Sequence, residues 1–151
     1  MLPEDSTFFA GILGNGDAKV LERDFGHYFD TRDPHLKRAE FNAKRHTFFA
    51  DLKERYGRDC MLQYGGMCQG EATSVDHLIP LSSNVLNKQL RHMKAQPGKK
   101  VPTQSFGSNH PDNLILACER CNAFKKHRFL SKEEWLRVTE LKRQLRHHGE
   151  E

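Results

Sequence analysis

The stretch Cys118 to His127, CERCNAFKKH, limits what this chain can fold into more than any other. Two cysteines separated by two residues at a helix start put both thiolates on one side, where a tetrahedral metal ion can take them. The apolar run Asn113 to Ala117, NLILA, leads in, so a strand is expected to feed that helix. Asn122 comes one residue further on and can serve a different site. Two more cysteines, Cys60 and Cys68, enclose seven residues that include Gly65-Gly66, a widened knuckle. Zinc suits four thiolates because it is borderline soft and does not resist tetrahedral closure. Cys60, Cys68, Cys118 and Cys121 are therefore expected to cage a structural zinc ion; the plain alternative is four ordinary buried cysteines.

Composition agrees with a stapled small domain. The chain has 151 residues, enough for one domain. Only 36% are apolar and 29% are charged, with a mean hydropathy of -0.77. That leaves a thin core, without the profile of a disordered chain. A structural zinc ion offsets the shortage, contributing about 10–16 kcal/mol of coupled folding energy in small domains. No apolar run is long enough to cross a membrane. The start, MLPEDSTFFAGILGNGD, carries acids where a secretory signal would carry bases. A cytoplasmic or nucleoid-associated setting is expected, where thiols stay reduced and four cysteines favour zinc over disulfides. The net charge of +4 is mildly basic and consistent with a nucleic-acid partner.

Residues 1–57 read as an N-terminal helical region. Phe8, Phe9, Ile12 and Leu13 are candidates to dock on the core, and Gly11, Gly14 and Gly16 keep any helix there short. Asp33-Pro34 is an N-cap followed by proline at the first helical position. A helix is predicted from Pro34 to Tyr56, with Gly57 as its stop. Phe41, Phe48, Phe49, Leu52 and Tyr56 share one face and are expected in the core. Lys37, Arg38, Lys44 and Arg45 fall elsewhere, on a solvated face or against a phosphate.

Beyond the first cysteine pair, Ser74 to Ile79 reads as a strand ended by Pro80. The connection 81–111 carries Lys88, Arg91, Lys94, Lys99 and Lys100 and no acid. An acid-free basic loop between two halves of a metal site suits contact with a nucleic-acid backbone. Val85 to Met93 could form a short helix inside it. Residues 131–151 are a final helix: Ser131 and Glu134 form a capping box, and Trp135, Val138, Leu141 and Leu145 form its apolar stripe.

A second site emerges from Asp76, His77 and Asn122. Asp76 offers a hard carboxylate oxygen and Asn122 a carbonyl oxygen, which with waters and a phosphate suit magnesium or manganese. His77 is a candidate general base, since an imidazole titrates near working pH. Neighbouring side chains on a strand face opposite ways, so the strand must turn locally for Asp76 and His77 to serve one phosphate.

The combined pattern, D-H-x-I-P followed by N-L-x-L-x-C-x-x-C-N-x-x-K, resembles the zinc-bearing branch of the HNH endonucleases, the ββα-metal nucleases. The resemblance covers about Cys60 to Phe129. It implies an α+β fold with a ββα-metal (HNH) core at 58–130, stapled by the four-cysteine zinc site, interrupted by the basic insertion 81–111, and flanked by an N-terminal and a C-terminal helix, all within one domain. It implies that His77 is the general base, that Asp76 and Asn122 hold the catalytic divalent ion, and that Asn113 braces the loop and the base. Lys125 matches a basic residue of the family. Lys126 and His127 join it as candidate DNA contacts, His127 alternatively covering the helix surface. The implied reaction is phosphodiester hydrolysis of DNA, double-stranded in the first instance, leaving a 5′-phosphate and a 3′-hydroxyl, by a monomer or a homodimer of bacterial or phage type. The competing expectation is a zinc-stabilised nucleic-acid-binding module without catalysis.

Overall fold

The computed structural model describes residues 10–11, 17–82, 107–126 and 130–149. Most of the basic insertion therefore lies outside the described residues, with Lys88, Arg91, Lys94, Lys99, Lys100 and the expected helix from Val85 to Met93. His127, Phe8, Phe9, Ile12 and Leu13 lie outside them too.

The fold is α+β. Among the described residues there are four α-helices and one two-stranded antiparallel sheet. Helix α1, Ala18–Phe25, starts at Asp17, whose carboxylate accepts the Lys19 and Val20 amides. A 3₁₀ turn, Gly26–Tyr28, follows directly. Helix α2, Pro34–Tyr56, has the expected bounds: Asp33 accepts the His35 amide at 2.7 Å, and proline opens the first turn. Gly57 ends it at φ +89°, a left-handed conformation that a side chain would oppose.

The α2 face predicted from its aromatics is the buried one. Phe41, Leu52 and Tyr56 are core residues, with Phe48 and Phe49 packed half-buried against them. Lys37 departs from both readings of its charge. It is fully buried, and its ammonium donates to the carbonyls of Asp30 (2.7 Å), Leu81 (3.2 Å) and Gly107 (2.6 Å). Burial lowers its pKa to about 8. Three backbone acceptors at hydrogen-bond distance explain why a lysine is tolerated there.

Strand β1, Ser74–His77, pairs antiparallel with β2, Leu114–Ala117. Ser74 lies opposite Ala117 and His77 opposite Leu114. All four β2 residues are buried, as the NLILA run predicts. β1 ends two residues before Ile79 because Asn113 takes over the strand partner's role. Its side chain accepts the Ile79 amide at 2.8 Å and donates to the Ile79 carbonyl at 3.0 Å. The chain then bends instead of extending.

Helix α3, Glu119–Lys125, follows β2 at once, with Cys118 as its N-cap. Helix α4, Lys132–Gly149, opens with one half of the expected capping box: the Glu134 amide donates to Ser131 Oγ at 3.2 Å, while the Glu134 carboxylate takes the Ser131 hydroxyl at 3.1 Å where the full box would use the backbone amide. Trp135 and Val138 are buried, and α4 packs on α2. One hydrophobic cluster runs from Leu21 in α1 to Val138 in α4. Burial of each large side chain in it contributes about 1.5–3 kcal/mol. No described helix is long and apolar enough to cross a membrane.

Gly107 closes the insertion against this core. It pairs with Phe29, and its amide donates to the Pro80 carbonyl at 2.8 Å. A Cβ there would stand 1.9 Å from the Ile79 carbonyl oxygen. Only glycine lets the two backbones approach so closely.

Candidate active site and metal centre

The four cysteines converge. One sulfur from each of Cys60, Cys68, Cys118 and Cys121 lies within 4.8 Å of the others. Cys60, Cys118 and Cys121 are buried and Cys68 is half-buried. The widened spacing between Cys60 and Cys68 therefore does not exclude Cys60 from the cluster. The segment around it is anchored to the sheet, the Met61 amide donating to the Leu116 carbonyl at 2.8 Å. Cys118 Sγ accepts the amides of Gln69 and Cys121, each at 3.4 Å. Burial disfavours the Cys118 thiolate, but those amides and the neighbouring thiols outweigh it and bring its pKa down to about 6. Burial pushes Cys121 up to about 12 and raises Cys60 as well. Four sulfurs this close cannot all ionise without a cation among them, and the donor set is compatible with tetrahedral zinc.

Asp76, His77 and Asn122 line one cavity of about 230 Å³. The alternation of a strand does not separate the first two. His77 is the last residue of β1, and the chain bends immediately after it. Asp76 Oδ1 accepts the amide of His77 at 2.8 Å. Asp76 Oδ2 is buried without a hydrogen-bond partner. Lys125 Nζ is 3.3 Å away, within ion-pair range but outside hydrogen-bond geometry. A buried carboxylate oxygen left in that condition fits a cation ligand. Lys125 is itself buried, so it stands at the carboxylate instead of on an open DNA-facing surface. Asn122 is placed by α3, with its Nδ2 3.5 Å from Ser74 Oγ.

His77 is almost enclosed, 4% exposed, with its ring 4.7 Å from that of Phe41. Its Nε2 is 2.8 Å from Asn109 Oδ1. Asn109 Nδ2 donates to the Lys37 carbonyl at 3.0 Å. A carbonyl only accepts, so this bond fixes the amide with its oxygen toward the ring. His77 must then carry its proton on Nε2, and Nδ1 is the basic nitrogen; this tautomer is assigned from the hydrogen-bond network. Burial lowers the His77 pKa to about 3; the Asn109 bond opposes that, and Arg38, Lys125 and Lys37 reinforce it. The ring is neutral at physiological pH.

Asn113 is wholly buried and braces the loop, its Nδ2 also donating to the Ser108 carbonyl at 2.8 Å. Its side-chain bonds go to Ile79 and Ser108; the residue bonded to the imidazole is Asn109. Sequence reasoning missed Asn109, which sits at the end of the insertion with no local pattern to mark it.

Arg38 and Arg45 also line the cavity, with Lys125 and Lys126. Their guanidinium carbons lie 5.7 and 5.4 Å from the centre of the Phe41 ring. Arg45 donates to Asn42 Oδ1 at 2.7 Å. Among the described residues no carboxylate is within ion-pair distance of Arg38, whose pKa is lowered by burial first and by Arg45 second. Positions 38, 41 and 45 form one helical stripe. That stripe was the available signal, since Phe41 was already expected to face the core.

No protein-family model matches the chain, and no curated protein and no solved structure matches it either.

Proposed function

We propose that this protein is a metal-dependent DNA endonuclease of the HNH, ββα-metal type, with the cysteine cluster holding structural zinc. The observation that carries the reading is the shared cavity of Asp76, His77 and Asn122, in which one oxygen of Asp76 is buried without a hydrogen bond. The order β1, β2, α3, with the acid and imidazole at the end of the first strand and the carboxamide on the helix, supports the same reading.

In this mechanism Arg38 and Arg45 receive the phosphodiester. They bring positive charge to the cavity, and guanidinium groups bind phosphate oxygens in a fixed fork. His77 Nδ1 takes a proton from a water molecule as its oxygen attacks phosphorus. The bond to the 3′ oxygen breaks, giving a 5′-phosphate and, after protonation from solvent, a 3′-hydroxyl. A ring with a pKa near 3 is always available but weakly basic. The negative charge of the phosphodiester arriving beside it raises that basicity, so base strength is tied to bound substrate. Asn109 keeps the Nε2 proton in place and stabilises the imidazolium as it forms. A magnesium or manganese ion held by Asp76 and Asn122 would neutralise charge on the phosphate and the leaving oxygen.

One observation favours a second reading, a zinc-stabilised nucleic-acid-binding module. Lys125 stands 3.3 Å from Asp76 Oδ2 and supplies a positive charge where the ion would sit. The two readings part on supercoiled plasmid incubated with magnesium or manganese. The enzyme nicks or linearises it, and His77→Ala does not, while retaining zinc and fold. Plasmid that is bound but left intact under every divalent ion tried would leave only the binding module.

A further inference from the structure

A second group of metal-ligating side chains stands apart from both the cysteines and the Asp76 cavity. His27, in the 3₁₀ turn after α1, places Nε2 2.8 Å from Asp112 Oδ2. His110 Nδ1 lies 3.9 Å from the same oxygen. The two imidazole rings meet edge-on, with centroids 4.6 Å apart. One ligand atom from each of the three residues lies within 4.8 Å of the others. Two imidazoles and a carboxylate form a donor set for a first-row divalent ion, zinc above all. Bonds of about 2.0–2.1 Å put tetrahedral ligands about 3.3 Å apart, and the separations of 2.8 and 3.9 Å bracket that spacing.

The backbones that carry these side chains are already joined. Ser108 Oγ donates to the His27 carbonyl at 2.6 Å and accepts the His110 amide at 3.2 Å. The Ser108 amide donates to the Tyr28 carbonyl at 2.9 Å. From α4, Lys142 Nζ donates to the carbonyls of Pro111 and Asp112. Little ordering is left for an ion to impose, which lowers the entropic cost of binding it. The side chains of His27, His110 and Asp112 are 33%, 46% and 36% exposed, so an ion can enter and leave. Asp112 also lines an open cavity of about 380 Å³ beside Tyr28 and Lys142. The Asp112 amide donates to His110 Nδ1 at 3.1 Å, so the bare lone pair of that ring is on the nitrogen nearer the carboxylate. Ligation exchanges that one hydrogen bond for a metal bond.

The geometry points to a second, exchangeable metal site at His27, His110 and Asp112 that takes zinc or a similar divalent transition ion. The His27–Asp112 contact and the His110 cap on the Asp112 amide each account for one pair of these residues; only a shared ion would use one ligand atom from all three together. An ion bound there ties the turn after α1 to the 107–113 segment, the segment that presents Asn109 to His77 and Asn113 to Ile79. It thus stabilises that segment by mass action. The site stands whether or not the protein cuts DNA.

Zinc titrated into the full-length, zinc-loaded protein tests it, with the ring nitrogens of His27 and His110 followed by long-range ¹H–¹⁵N NMR. Both rings are expected to shift together and saturate below millimolar zinc, and the melting temperature to rise with them. His27→Gln and Asp112→Asn should each weaken zinc binding by more than the roughly 10–100-fold that losing an outer-shell partner costs, while the cysteine-bound zinc remains. If either variant fails to fold, His110→Gln, at the most exposed of the three positions, carries the comparison. Rings that stay unmoved in millimolar zinc, or a folded variant that binds as the wild type does, overturn the site.

Discussion

Asn109 Oδ1 stands 2.8 Å from His77 Nε2, and the carbonyl of Lys37 decides that it is the oxygen that faces the ring. The imidazole is thereby committed to one tautomer before any substrate arrives. Asn109→Leu should cut kcat by about tenfold or more with KM little changed, because an incorrectly protonated base loses much of the 10²–10⁴-fold that general-base catalysis supplies. The ¹⁵N spectrum of the wild type should show Nε2 protonated and Nδ1 bare. A wild-type ring protonated on Nδ1 would refute the assignment directly.

Burial also makes His77 a source of acid sensitivity. Its folded pKa is about 3, against an ordinary 6.5. Between those values the unfolded chain takes up a proton that the folded chain refuses. The contribution is full above about pH 6.5 and is lost as pH falls toward 3, at up to about 1.4 kcal/mol per pH unit. His77→Gln lacks this proton, so urea unfolding of the two proteins between pH 7 and pH 4.5 should show the wild type losing stability faster. Parallel curves would mean that the ring is not held neutral by the fold.

Arg38 is exposed and has no carboxylate partner among the described residues, on the wall of the cavity that holds Asp76. Arg38→Ala should raise KM for DNA about tenfold, the cost of one charge-assisted contact of 1.5–3 kcal/mol partly replaced by water. Its binding should also depend less steeply on salt. Lys37→Ala is a different case. Its ammonium holds three backbone carbonyls, so it should lower stability, with any effect on DNA following from that.

The sulfur cluster gives the prediction with the largest effect. Strong chelation of the purified protein, or Cys121→Ser, should unfold the 58–130 region, since structural zinc in small domains is worth about 10–16 kcal/mol. Circular dichroism together with the zinc content of the protein is the measurement. A well-folded, zinc-free variant would show that packing alone holds the four cysteines together.

Gly107→Ala places a methyl group 1.9 Å from the Ile79 carbonyl oxygen. The backbones must separate, and the bond from Lys37 to the Gly107 carbonyl and the bond from the Gly107 amide to the Pro80 carbonyl are lost with them. A loss above about 2 kcal/mol in denaturant unfolding is expected. Asn113→Ala should cost a similar amount, because it strands the amide and carbonyl of Ile79 in the core.

Much of the fold follows from local rules that the sequence states openly. Asp33-Pro34 and Gly57 bound α2, Ser131 and Glu134 open α4, and the apolar run before Cys118 makes a buried strand. The four cysteines suggest their cluster by residue type, and the fold brings their sulfurs together. Three-dimensional packing alone settles the rest. It decided that β1 stops at His77, because a carboxamide thirty-four residues away takes over the pairing of Ile79. It turned Lys37 inward and made it a clasp on both ends of the insertion, at Leu81 and Gly107. It set Asn109 against the imidazole and gathered His27 with Asp112 across eighty-five residues. Helix caps and periodicities are short-range and can be read from neighbours in the chain. Which buried polar group satisfies which depends on distances that exist only after the chain has closed.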